Sequence, residues 1–171
     1  MLRFSKTASP IVVWNVTKKC NLSCAHCYIN AVGEEESEAD MGELTTREAM
    51  GMIEDLAAIK APMLAFSGGE PLLRNDIYEL NVYAMKLGLR TILSTNSTLI
   101  TREVAKKIKE AGFVYVGVSL DGSEEAHDRF RGARGAFEKS LQGLRYLMEE
   151  GVNTGVRFAI TNQNYDELPK V

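Results

Sequence analysis

All three cysteines of the chain fall within one stretch, Cys20-Asn21-Leu22-Ser23-Cys24-Ala25-His26-Cys27, with three and then two residues between successive thiols. Sulfur ligands this close together suit zinc or an iron–sulfur cluster and do not suit magnesium or calcium. A structural zinc site closes with four ligands, but this stretch offers three thiols, and His26 directly precedes Cys27 and would have to turn towards the same ion. A cubane cluster normally takes four cysteines, so three leave one iron without a protein ligand. Spacing alone leaves both metals open. In a cluster, the open iron would be the place for chemistry.

A second stretch, Ser67-Gly68-Gly69-Glu70-Pro71, follows a short apolar run. Paired glycines let the backbone come close to a ligand and adopt positive φ. A carboxylate with nearby carbonyls accepts hydrogen bonds from an ammonium group. The same residues also read as a turn before a helix. Three further groups carry polar side chains: Ser94-Thr95-Asn96, Ser119-Leu120-Asp121-Gly122, and Arg157. Hydroxyl, amide and carboxylate groups there can hydrogen-bond a polar ligand, and a guanidinium suits a carboxylate. Asn96 and Asp121 equally suit caps or turns. His127 reads as a proton donor, a substrate contact, or a histidine on a helix surface.

The elements that position these residues alternate regularly. Short apolar, β-branched runs at residues 11–17, 63–66, 91–95, 114–120 and 155–161 predict strands of a parallel sheet. Between them, Thr45 with Glu48 forms a capping box ahead of Ala49, Met52, Ile53, Leu56 and Ile59 at helical spacing, and Pro62 ends that helix. Asn75 or Asp76 caps a second helix carrying Ile77, Leu80, Ala84 and Leu87, with Gly88 after it. A third spans residues 102–111, capped by Thr101 and closed at Gly112. A helical stretch holding His127 is broken by Gly132 and Gly135, and Phe137, Leu141, Leu144 and Leu147 mark another helix ending at Gly151. Residues 33–40, rich in glutamate, read as a solvated loop, and residues 162–171 as a loop entering a helix.

Alternating strands and helices give βαβ units with right-handed crossovers, hence an α/β protein. About five units are present, whereas a closed eightfold barrel takes about 250 residues. The expected fold is a partial, open parallel (β/α) barrel, one domain over residues 1–171, with ligands at the C-terminal ends of its strands. Every polar motif above falls there.

Composition narrows the partners. The chain has 20 basic and 23 acidic residues, a formal charge of -3 and scattered lysines and arginines, so nucleic acid is not expected. Arg3 and Lys6 precede the first apolar run, but Asn15 interrupts it and Lys18 and Lys19 follow, so it reads as a strand and not a signal peptide. No run approaches the length of a membrane helix, and an odd, clustered cysteine count argues against a disulfide framework. Cytoplasm is the expected compartment.

The pattern Cys20-x3-Cys24-x2-Cys27 after the first strand of a β/α series resembles the signature of the radical S-adenosylmethionine (SAM) enzymes. That resemblance implies a [4Fe-4S] cluster on Cys20, Cys24 and Cys27, with the amino and carboxylate groups of SAM on the fourth iron. His26 then takes the position near the adenine, and Gly68, Gly69, Glu70 and Pro71 resemble the motif that binds the SAM amino group. Asn96, Ser119, Asp121 and Arg157 resemble the remainder of the cofactor site, and His127 a proton donor or substrate contact. Ser97 departs from the pattern, since the family usually has glycine there. The implied activity is that of an oxidoreductase. Its reduced cluster, fed by a one-electron reductant such as flavodoxin or ferredoxin, cleaves SAM to a 5′-deoxyadenosyl radical, which takes hydrogen from a small-molecule or peptide substrate. Residues 13–17 and 127–132 are most similar to enzymes of haem and haem d1 biosynthesis, with peptide-modifying maturases next. Those relatives continue past residue 171, so the chain reads as an N-terminal portion without a sixth strand or auxiliary-cluster cysteines. The contrasting expectation is a non-catalytic, truncated iron–sulfur or zinc domain whose fifth strand is an unprotected edge.

Overall fold

A computed structural model of the chain describes residues 10–35 and 42–171. Arg3, Lys6 and most of the expected loop at 33–40 lie outside the described residues. In chain order the elements are β1 (Val12–Asn15), α1 (Thr46–Ala58), β2 (Leu64–Ser67), α2 (Ile77–Lys86), β3 (Thr91–Thr95), α3 (Arg102–Ala111), β4 (Tyr115–Ser119), α4 (Glu124–Arg131), α5 (Ala136–Glu149) and β5 (Thr154–Arg157). The five strands form one sheet in sequence order, and every pairing is parallel. This is the open, partial (β/α) barrel expected from the alternation.

The local signals explain most of the boundaries. At the start of α1 the Thr45 hydroxyl accepts from the Glu48 amide while the Glu48 carboxylate accepts from the Thr45 amide, a complete capping box. Thr101 caps α3, and Gly112, at φ 85°, closes it in the left-handed region. Asp76 stands at the N-cap of α2 without capping it, because its carboxylate is held by Arg74 and by Thr46.

Alternate strand residues divide between two environments. Leu64, Phe66, Leu93, Val116 and Val118 face the helices and are buried with Ile53, Leu80, Ile108 and Leu147. Each such side chain contributes about 1.5–3 kcal/mol by leaving water. The other face carries Ser67, Ser94, Ser119 and Arg157, which line the open side of the barrel.

One expectation at the end of the chain needs correction. β5 stops at Arg157 and does not run to residue 161. Its last sheet bond is Leu120 N–H to the Arg157 carbonyl, after which the Ala159 amide turns away to the Asp121 carboxylate. The segment that follows is a 3₁₀ helix, Tyr165–Lys170, with Pro169 inside it. Among the described residues, no helix is long and apolar enough to cross a membrane.

Candidate functional site

The cysteine loop leaves β1 and is gripped from three sides. On the first, the turn after β2 lies flat against it, with Gly69 N–H bonded to the Thr17 carbonyl and Glu70 N–H to the Lys19 carbonyl, both at 2.8 Å. A Cβ on Gly69 would overlap the Lys19 carbonyl, and one on Gly68, at φ 129°, would overlap that of Thr17. The paired glycines are therefore required by backbone contact with the cysteine loop. On the second side, the loop after β3 reaches in: Asn96 Nδ2 donates to Asn21 Oδ1 at 2.9 Å, and Asn21 Nδ2 to Thr98 Oγ1 at 2.8 Å. On the third, the C-terminal end of α4 abuts the loop, with Ala25 N–H bonded to the Phe130 carbonyl and the His26 ring stacked on Phe130 at 4.1 Å.

Within this frame the three thiols line one cavity of about 90 Å³, together with His26, Tyr28, Gly68, Gly69, Asn96 and Arg131. A second, polar cavity of about 330 Å³ adjoins it at the C-terminal ends of the strands. The two share His26, Tyr28, Gly68, Gly69 and Arg131, and the larger adds Ser94, Ser119, Asp121 and Arg157. Its size lies at the lower end of the range of small-molecule sites. A larger cavity, about 510 Å³, lies between α1, α2 and α3 and is lined by none of the candidate cofactor residues.

Burial pushes the Cys20 thiol up to about 11, and burial likewise raises Cys24 against the opposing pull of Arg131. Metal binding at these thiols must therefore release protons. Burial lowers the His26 imidazole, helped by the Arg131 charge. His26 is thus a neutral, stacked ring at the junction of the two cavities, with a buried Nδ1 that has no hydrogen-bond partner in the protein.

The structure gathers Cys20, Cys24, Cys27, His26, Gly68, Gly69, Asn96, Ser119, Asp121 and Arg157 around these cavities. Glu70 stands apart from that group. Its carboxylate is fully buried, lines neither cavity, and accepts from Thr95 Oγ1 and the Asn96 amide at 2.8 Å and from the Leu72 amide at 3.2 Å. It ties the end of β2 to the end of β3 in place of facing a ligand, and Pro71 behind it is buried at the start of the 3₁₀ turn Pro71–Leu73. His127 is neither on a helix surface nor in a cavity. It is 1% exposed, and its Nδ1 accepts the Asp121 amide at 3.1 Å, which fixes a neutral ring protonated at Nε2. Ser97 occupies the left-handed region, at φ 59°, where a glycine would be at ease. Its hydroxyl donates to the Ser140 carbonyl and its amide to Thr95 Oγ1, which hold it there.

Reading the sequence placed Arg131 in the His127–Gly132 stretch without a role and missed Tyr28. Arg131 is 8% exposed, borders both cavities, pairs with Asp121 and donates from Nη1 to Cys24 Sγ at 3.7 Å. Its place in the His127–Gly132 stretch was the available signal. Tyr28, next to Cys27, anchors its hydroxyl on Asn15 Oδ1 at the mouth of the barrel.

Among the described residues, three thiols, with no fourth cysteine and no carboxylate beside them, make up the donor set of the smaller cavity apart from the stacked His26 ring, as its lining shows. A single tetrahedral ion with sulfur at about 2.3 Å draws its ligands to within about 4 Å of one another. A cluster carries its irons at separate corners and takes its thiolates further apart. Three thiols around one cavity fit the second arrangement.

A family model described as the Radical SAM superfamily matches residues 14–171. The Fe-coproporphyrin III synthase of Methanosarcina barkeri is 50% identical over 171 residues, covering 100% of this chain and 42% of that protein. The pre-heme d1 synthase of Dinoroseobacter shibae is 43% identical over 166 residues, covering 96% of this chain and 40% of that protein. Among solved structures, Streptococcus suis SuiB bound to precursor peptide SuiA superposes with a TM-score of 0.75 at 18% identity, covering 93% of this chain and 34% of that one. The chain thus spans about two fifths of the length of these curated relatives.

Proposed function

The chain belongs to the radical SAM superfamily, whose members use a [4Fe-4S] cluster and SAM, and from that premise we propose that it is the core of an enzyme acting on a tetrapyrrole in haem-type biosynthesis. The observation that carries this reading is the pair of adjoining cavities, one lined by the three thiols and the other by polar groups at the strand ends, with Gly68, Gly69, His26 and Arg131 at their junction. The preference for a tetrapyrrole over a peptide rests on relatives of 50% and 43% identity whose names specify haem-type products.

In this reading Cys20, Cys24 and Cys27 would hold the cluster, leaving one iron open for SAM. When bound, the pair supplies one-electron cleavage of SAM to a 5′-deoxyadenosyl radical, the species that takes hydrogen from substrate. The chain's own residues bind and orient. Gly68 and Gly69 would offer bare backbone to the methionine end of SAM, and the stacked His26 ring would serve the adenine. Ser119 and Arg157 would bind the ribose and carboxylate, with Arg157 steadied by its hydrogen bond to Ser94 Oγ. Asn96 clamps the cysteine loop through Asn21, and Glu70 supports Asn96 from beneath. Asp121 acts through Arg131, and His127 through the Asp121 backbone. The electron comes from a cytoplasmic one-electron reductant such as flavodoxin or ferredoxin.

Anaerobic reconstitution with iron and sulfide, followed by dithionite, SAM and an iron coproporphyrin, tests the reading. Four irons per chain and release of 5′-deoxyadenosine are expected. One bound zinc with no SAM affinity would overturn it in favour of a non-catalytic metal domain.

A further inference from the structure

Each of the three cysteine sulfurs accepts a hydrogen bond from an N–H group of a different kind, and Cys20 also takes the Leu22 amide. Cys27 Sγ takes the Ala31 amide at 3.3 Å, Cys24 Sγ takes Arg131 Nη1 at 3.7 Å, and Cys20 Sγ takes Asn96 Nδ2 at 3.9 Å. The other donors are neutral amides, and Arg131 alone among them brings a charge. That charge is buried and held in place from behind. Arg131 Nη2 is paired with Asp121, whose other carboxylate oxygen accepts the Ala159 amide at 2.8 Å. The Asp121 carbonyl accepts from Asn164 Nδ2, and its amide donates to His127. The result is a continuous chain of contacts from Cys24 through Arg131 and Asp121 to a buried histidine and a buried asparagine.

We propose that Arg131 is a positioning residue that acts through Cys24 to set the reduction potential of the cluster, with Asp121 as its opposing charge. The proposal rests on the reading that Cys20, Cys24 and Cys27 carry a [4Fe-4S] cluster. Hydrogen bonds to cluster sulfurs and nearby net charge are among the factors that tune such potentials. Reduction adds negative charge to the cluster, so a cation bonded to one of its sulfurs favours the reduced form. A buried carboxylate one residue further out disfavours it. Because both groups are screened weakly by solvent, removing either should move the potential, and in opposite directions. The buried Arg131 Nε, which has no hydrogen-bond partner in the protein, leaves the guanidinium a spare donor at the junction of the two cavities.

The test uses the whole chain, reconstituted anaerobically, with iron and sulfide analysis first and then a spectroelectrochemical midpoint measured without SAM. R131Q should shift the midpoint to more negative potential at unchanged iron content. R131K, which keeps the charge, should fall between R131Q and the unsubstituted chain, and D121N should shift the midpoint to more positive potential. R131Q with full iron content and an unshifted midpoint would overturn the proposal, as would R131Q and D121N moving the same way. If R131Q does not hold a cluster, the ordering of R131K below and D121N above the unsubstituted chain decides the matter. Failure of the unsubstituted chain to bind four irons would instead remove the cluster reading itself.

Discussion

Replacing Glu70 with glutamine keeps the shape of a fully buried side chain and removes its charge. Burial raises the Glu70 carboxyl from an ordinary 4.5 to about 7, against the lowering effect of the donors Asn96, Thr95 and Leu72. The folded protein therefore keeps this proton at pH values where the unfolded chain has lost it. The stability that the proton confers is complete below about pH 4.5 and is lost as pH rises through 7. At about 1.4 kcal/mol per pH unit, the displacement amounts to about 3 kcal/mol. His127 opposes it. Its imidazole is lowered from 6.5 to about 4, first by burial and then by the Arg131 charge. The unfolded chain takes up that proton first, so stability is lost as pH falls from 6.5 towards 4, by a similar amount.

Because the two slopes nearly cancel between pH 4.5 and 6.5, the profile of the unsubstituted chain alone cannot reveal Glu70. The informative quantity is the difference between that chain and E70Q in urea unfolding, measured at pH 5 and pH 8. An amide placed against three donors adds an offset of about 1–3 kcal/mol at every pH. On top of that offset, the advantage of the unsubstituted chain should shrink by about 2–3 kcal/mol from pH 5 to pH 8. A difference that is the same at both pH values would show that the carboxyl titrates alike in the folded and unfolded states, and would refute the argument.

Two further substitutions test the backbone around the site. In G69A the new Cβ would overlap the Lys19 carbonyl and break the docking of the turn onto the cysteine loop, so a loss of more than about 3 kcal/mol and failure to load iron are expected. G51A is its control, because nothing lies within 4 Å of a Cβ there, and alanine inside α1 should raise stability by about 0.5–1 kcal/mol in the same urea assay. S97G relieves about 1–2 kcal/mol of left-handed strain but loses the hydrogen bond to Ser140, about 1 kcal/mol, and loosens the unfolded chain. Its unfolding free energy in urea should therefore stay within about 1 kcal/mol of the unsubstituted value, and a loss above about 3 kcal/mol would show that the Ser97 hydroxyl contributes more than one ordinary bond.

Where local chemistry dictates an element, the sequence was sufficient. Thr101 and Gly112 bound α3 at the expected residues because the cap and the left-handed closure are each made by a single side chain or its absence. The capping box at Thr45 is equally self-contained. β5 was read as too long because residues 155–161 have strand-like composition throughout. What ends the strand is the distant Asp121 carboxylate capturing the Ala159 amide, and no local propensity encodes that.

The same division runs through the site. The thiols and the glycine pair were legible because their chemistry lies in residue type and spacing, but the partner of the glycines was not. Gly68 and Gly69 make room for the backbone of the cysteine loop, so their requirement would persist even if no ligand ever bound. Glu70, beside them, was read as accepting from a ligand's ammonium group because a carboxylate suits that role; three donors of the protein converge on it and bury it. Arg131 and His127 were obscured for a related reason. The buried face of α4 consists of Ala126, His127, Phe130 and Arg131, and an apolar-periodicity reading counts two of those four as solvent-facing. A helix whose inward face is half polar makes sense only if something on the other side takes up those groups. Here Cys24 and Asp121 take up Arg131, and the Asp121 amide takes up His127. The polarity that hid this face from the hydrophobic pattern is thus what couples it to the cysteine loop.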